Sequence, residues 1–252
     1  MRYIVANWKM NKTIEESLHF MEEFNLFMES RVNQSFCNVL IAPPSIHIPL
    51  LSKLSECISL VGQNISSKDH GAYTGELSAM MLRDYVKYVI VGHSERRKYF
   101  HETNTVLYKK LSLCFQYKMN PIFCVGEHKK DRNSGDFLVI IKKQLENTIM
   151  LLPDADLSNL IIAYEPVWAI GTGSTPSIDK IQEVHNYIRT LLIKKTSSLI
   201  ANKIPILYGG SCTAKNAKSI LMEKNVNGLL VGGASLDSNH FQEIIQIADK
   251  IS

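Results

Sequence analysis

One glutamate lies where a charge is hardest to accommodate, in the run Ile161-Ile162-Ala163-Tyr164-Glu165-Pro166-Val167-Trp168. A carboxylate between apolar runs is costly to ionise, so its pKa is expected to rise toward that of a general base. The competing expectation is a structural pair with a buried Lys or Arg. Lys9 ends the run Tyr3–Trp8, where an ammonium must be desolvated, paired or turned to a ligand. His93 directly follows Tyr88-Val89-Ile90-Val91-Gly92, and Ser94 and Glu95 are placed to open a helical turn. Amides at that turn would depress the histidine pKa and keep its ring neutral. A base, a neutral electrophile and a cation are what proton abstraction beside a carbonyl requires.

Glycine placement supplies a ligand class. Of 13 glycines, nine stand at or just past the end of an apolar run: Gly62, Gly92, Gly126, Gly171, Gly173, Gly209, Gly210, Gly232 and Gly233. The pairs Gly209-Gly210 and Gly232-Gly233 leave amides bare to a close ligand, and Ser211 adds a hydroxyl. This set suits a dianionic phosphate. Pro166 and Trp168 stiffen the entry to Ala169-Ile170-Gly171-Thr172-Gly173, which then reads as a closing lid. The eight histidines show no H-x-x-x-H or H-E-x-x-H spacing, so no metal is expected.

The elements that must position these groups recur along the chain. Apolar runs at Tyr3–Trp8, Asn38–Ala42, Ile58–Gly62, Tyr88–Gly92, Ile122–Gly126, Leu160–Glu165, Ile204–Gly209 and Gly228–Gly232 read as strands. Most are continuous rather than alternating, as in parallel strands covered on both faces. Helical spacing lies between them, in Ile14, Leu18, Met21, Phe24 and Met28, in Ile181, Val184, Ile188, Leu191 and Leu192, and in Phe241, Ile244, Ile245 and Ala248. Thr13 and Thr175-Pro176-Ser177 are expected to open the first and sixth helices. Eight strands and eight helices over 252 residues give roughly 31 residues per unit. The expected fold is α/β: a single (β/α)8 barrel over residues 1–252, eight parallel strands ringed by helices, without a linker or second domain. The competing architecture is an open doubly wound sheet.

Composition sets the remaining bounds. Apolar residues at 45% and charged residues at 21% exclude disordered, collagen-like and fibrous chains. A net charge of +4, with Lys-Lys pairs spread at 109–110, 129–130, 142–143 and 194–195, reads as solvated helix faces rather than a nucleic-acid stripe. Five cysteines without C-x-x-C spacing suggest reduced thiols, and no run approaches the ~18 apolar residues of a membrane span. A cytoplasmic protein is expected, binding neither nucleic acid nor membrane.

Seven stretches carry a resemblance over nearly the whole chain. They are Asn7-Trp8-Lys9-Met10-Asn11, Gly71-Ala72-Tyr73-Thr74-Gly75-Glu76, Val91-Gly92-His93-Ser94-Glu95-Arg96-Arg97, Cys124-Val125-Gly126-Glu127, Ala163 through Gly173, Tyr208-Gly209-Gly210-Ser211 and Val231-Gly232-Gly233-Ala234. In this order they resemble the triosephosphate isomerase family. The resemblance implies cofactor-free interconversion of dihydroxyacetone phosphate and glyceraldehyde 3-phosphate through an enediol(ate), in glycolysis and gluconeogenesis. It implies Glu165 as base, His93 as neutral electrophile and Lys9 as the cation at the oxyanion and phosphate. It further implies Asn7 as a substrate-positioning group, and Gly171, Ser211, Gly232 and Gly233 as the phosphate grip. The lid would run from Pro166 through Trp168, Gly171 and Gly173 to Pro176. A homodimer is implied as well, with Thr74 reaching toward the neighbouring subunit's Lys9 and His93 region.

Departures from the family pattern are few. The far hinge reads Gly173-Ser174-Thr175-Pro176 where many members carry Lys-Thr-Ala, which bears on lid opening. Cys212 stands where Val is common and is expected to be buried and inert. The run His128-Lys129-Lys130-Asp131-Arg132 is more basic than usual and is expected to be a solvated helix start. Another phosphosugar barrel, such as an aldolase, would need a Schiff-base lysine, for which Lys9 is the only strand-end candidate. A catalytically silent binding barrel would have lost Lys9, His93 or Glu165, and all three are present.

Overall fold

The computed structural model describes residues 2–31, 37–55, 57–173 and 175–251. Ser174, in the expected far hinge, lies outside the described residues, as does Met1. Eight parallel strands follow one another in chain order and close into a barrel: β1 Arg2–Asn7, β2 Cys37–Ala42, β3 Ser59–Gly62, β4 Tyr88–Val91, β5 Asn120–Val125, β6 Ile161–Tyr164, β7 Ile206–Tyr208 and β8 Gly228–Val231. Closure is made by β1, which pairs with β2 through Val5↔Leu40 and with β8 through Val5↔Leu230. The barrel, not the open sheet, is the fold.

Continuous apolar strands arise because each is buried twice. Val5, Leu40, Val61, Ile90, Ile122, Ala163, Leu207 and Leu230 fill the barrel interior. Their neighbours Ile4, Ala6, Val39, Ile41, Ile162, Tyr164 and Val231 face the helices in a second, larger cluster. The period of two fixes what comes next at each strand end. Two residues beyond inward-facing Val5, Ala163, Leu207 and Leu230 lie Asn7, Glu165, Gly209 and Gly232, all of them lining one cavity.

The eight expected helices are eleven among the described residues: α1 Ile14–Ser30, α2 Ile48–Leu51, α3 Ala79–Leu82, α4 Ser94–Tyr99, α5 Asn104–Gln116, α6 Lys129–Ser134, α7 Phe137–Glu146, α8 Ile178–Lys195, α9 Ser198–Ala201, α10 Ala214–Leu221 and α11 Ser238–Ile251. Several crossings are broken into two pieces, and that after β3 is mostly irregular chain ending in one turn. The three strongly periodic segments are single helices. Thr13 caps α1 in a capping box with Glu16, and Ser177 precedes α8. Phe24 stacks on Phe241 at 5.5 Å, and Phe20 meets Trp8 edge-on at 4.9 Å, seating α1 against α11 and against the chain just past β1. No described helix is long and apolar enough to cross a membrane.

Candidate active site

At the C-terminal ends of the strands a cavity of about 310 Å3 opens, lined by Asn7, Lys9, His93, Glu165 and the chain after β6, β7 and β8. Glu165 is 1% exposed. Its Oε2 accepts the Ser94 N–H at 2.8 Å, and His93 Nε2 stands 3.0 Å from Oε1. That contact is short enough for charge to matter but off the hydrogen-bonding axis, so Oε1 has no aligned donor. His93 is the N-cap of α4, and its Nδ1 accepts the Glu95 N–H at 3.3 Å. With Nδ1 accepting, a neutral ring carries its proton on Nε2 and turns it into the cavity.

Both expected pKa directions are reversed in this arrangement. Burial alone would raise Glu165, but the His93 charge, the Ser94 amide and Lys9 outweigh it and hold the carboxyl below its ordinary value. Burial alone would lower His93, but Glu165 outweighs it and raises the imidazole. Each group is the other's counter-charge: the sequence expectation named burial for Glu165 and helix amides for His93, and missed the partner in both cases.

Lys9 adopts φ +53°, a left-handed conformation that costs a residue with a Cβ, and its surroundings hold it there. Its N–H donates to Asn7 Oδ1 at 3.1 Å, Gln63 Nε2 donates to its carbonyl at 2.8 Å, and its Nζ meets Glu95 Oε1 at 2.6 Å. The tight turn points the ammonium back over the barrel mouth beside Gly232.

Backbone braces fix the Glu165 end of β6. A Cβ at Gly126 would stand 1.7 Å from the Glu165 carbonyl oxygen, so only glycine lets the ends of β5 and β6 approach so closely. Gln144 holds Gly126 by both backbone groups at 2.9 Å, and Arg97 donates to the Gly92 and Cys124 carbonyls at 2.9 Å. Gln144 carries no local signal in the sequence. Gln63 follows Gly62 at the end of β3, the one pointer to it.

The segment after Glu165 is held at its near side. Trp168 Nε1 donates to Glu127 Oε1 at 2.9 Å, and Tyr164 Oη donates to the same oxygen at 3.1 Å. Glu127 is fully buried, and burial raises its pKa despite these donors. Ser211 Oγ donates to the Ala169 carbonyl at 2.6 Å. On the far side, Asn216 Nδ2 donates to Thr175 Oγ1 at 3.0 Å. A Cβ at Gly171 or Gly173 would meet nothing within 4 Å, so the tip of the segment stands clear of the barrel.

The cavity therefore gathers Asn7, Lys9, His93, Glu165, Gly171, Gly173, Ser211, Gly232 and Gly233. Pro166, Trp168 and Pro176 lie in the segment but outside the lining, and Gly62, Gly92 and Gly126 serve the backbone rather than the cavity. Thr74 is exposed on the loop after β3, away from the lining. Cys212 is buried with its thiol pushed up to about 12, as an inert side chain should be. The run after Glu127 does start a helix, but it is not simply solvated. Lys129 Nζ sits over the Trp168 ring at 4.6 Å, and Arg132 packs on Phe137 and pairs with Glu183. Among the described residues no group of three or more His, Cys, Asp or Glu could hold a metal ion.

The molecule is a (β/α)8 barrel whose ionisable groups converge at the catalytic end of such barrels. Comparison with known proteins narrows this: the family model described as triosephosphate isomerase matches residues 2–248. A protein of Porphyromonas gingivalis named triosephosphate isomerase is 42% identical over 246 residues, covering 96% of this chain and 97% of its own. Those of Thermodesulfovibrio yellowstonii and Francisella tularensis subsp. mediasiatica, of the same name, are 43% identical over 248 residues and 42% over 252. The former match covers 97% of this chain and 98% of the relative, the latter 99% and 98%. The chain belongs to the triosephosphate isomerase family.

Proposed function

We propose that this protein is a triose-phosphate isomerase, interconverting dihydroxyacetone phosphate and glyceraldehyde 3-phosphate in glycolysis and gluconeogenesis. The observation that carries this reading is the juxtaposition of Glu165 and His93 at 3.0 Å on the floor of a cavity that Lys9 overlooks. Substrate arrival separates the pair, as Glu165 turns from Ser94 and His93 to the carbon beside the carbonyl. Burial, the largest influence on either group, then loses its main opponent, although the Lys9 charge still reaches both groups and Glu95 still reaches His93. The carboxylate becomes a stronger base and the imidazole a neutral donor. Glu165 takes the proton, and His93 Nε2–H donates to the carbonyl oxygen and shuttles protons between the two oxygens. Lys9 neutralises the developing oxyanion. Glu165 returns its proton to the neighbouring carbon, so nothing is gained or lost overall.

Asn7 positions the substrate, while Gly171, Ser211, Gly232 and Gly233 grip its phosphate. The lid from Pro166 to Pro176 closes to keep water from an enediolate that would otherwise eliminate phosphate. A coupled assay of purified protein with glyceraldehyde 3-phosphate, without added metal or cofactor, tests the reading. Turnover is the expected result, and none at any substrate concentration overturns it.

We read the protein as one barrel domain that works as a cytoplasmic homodimer, binding neither nucleic acid nor membrane. Met10 is 97% exposed beside Lys9, and Tyr73, Met80 and Met81 line a cavity of about 110 Å3 at the base of the loop that carries Thr74. Such exposed apolar groups suit burial against a second copy. Light scattering after size-exclusion chromatography should give twice the chain mass.

A further inference from the structure

The lid's near shoulder holds a contact that the catalytic reading does not use. Trp168 is gripped at its edge by Glu127 Oε1, 2.9 Å from the indole nitrogen, and covered on its face by Lys129 Nζ, 4.6 Å from the ring centroid. The two contacts reinforce each other. An N–H that donates to a carboxylate leaves more electron density on the ring, and a cation over the face is drawn to that density. Among the described residues no carboxylate lies within ion-pair distance of Lys129, which also occupies the first turn of α6, where the helix dipole disfavours a cation. The indole is the favourable partner this ammonium has.

Trp168 stands on the turn Val167–Ala169, three residues before Gly171, so what fixes the ring fixes where the lid leaves the barrel. We propose that Lys129 is a positioning residue that braces Trp168 and so holds the near end of the lid where the Glu127 bond sets it, a placement that closure over substrate gives up. The brace rests on the isomerase reading only for its kinetic consequence. An interaction made in the ligand-free state and lost on closure is repaid by weaker apparent substrate binding. At this half-exposed site its removal should tighten binding two- to fivefold.

Lys129→Gln and Lys129→Arg test the proposal. The chain has two tryptophans, and Trp8 is fully buried, so quenching by acrylamide reports Trp168. In the ligand-free protein Lys129→Gln should quench about twofold more readily than wild type, and Lys129→Arg should restore the wild-type value. In turnover Lys129→Gln should lower KM two- to fivefold with kcat no higher, again restored by arginine. Unchanged quenching and KM in Lys129→Gln would overturn the brace. A raised KM would also overturn it, making the charge an attractor for an anionic substrate instead. Wild type without turnover would refute the isomerase reading, while the quenching comparison would still decide the brace.

Discussion

His93 Nε2 stands 3.0 Å from Glu165 Oε1, and each shifts the other's pKa against the direction burial would impose. This gives stability a pH signature. His93 is raised above 6.5, so its contribution is complete below about pH 6.5 and lost as pH climbs through the folded value. Glu165 is lowered below 4.5, so its contribution is present above about pH 4.5 and lost as pH falls through the folded value. The Tm difference between wild type and Glu165→Gln should be largest between these limits and shrink on either side. A pH-independent difference would show that the pair carries no charge.

Removing the base should abolish most turnover without unfolding the barrel. Glu165→Gln is expected to lower kcat by about 10^2–10^4, the usual contribution of a positioned general base. Glu165→Asp shortens the reach and should also lower kcat. Full activity in either variant would sink the assigned role.

Glu127 is a test of the lid's anchor. Glu127→Leu strands the Tyr164 hydroxyl and the Trp168 indole N–H, which share its Oε1. The expected cost is about 1–3 kcal/mol per stranded group, read as a fall in the denaturation midpoint at unchanged m-value.

Two glycines should part company under the same substitution. At Gly126 a methyl would meet the Glu165 carbonyl oxygen at 1.7 Å, and Gly126→Ala should destabilise by about 3 kcal/mol or prevent folding. At Gly171 the surrounding space is open and only φ +69° resists. Gly171→Ala should then cost about 1 kcal/mol, and parity between the two would refute the close-approach argument.

The barrel was legible because apolar runs buried on both faces announce parallel strands, and because the step of two from Ala163 to Glu165, or from Val5 to Asn7, decides which side chains face inward. The helices were less legible. The chain between β3 and β4 has no apolar period, and it folds as irregular chain with a single turn, α3. The charges of the site were least legible. The Ser94 amide lies 71 residues from Glu165, and no local pattern reports that it will supply the carboxylate's hydrogen bond. Lys129 shows the same limit, since a basic run reads as solvated until the fold brings Trp168 beneath it.

A serine hydroxyl has one proton to give, and Ser211 has given its proton to the Ala169 carbonyl. While that bond lasts, the phosphate grip proposed above has amides alone to offer after β7. An anion that claims the hydroxyl must first break this one tie to the segment behind Glu165. Arrival of the ligand and freedom of the cover are thereby mutually exclusive with the resting bond, and a single proton serves as the interlock between them.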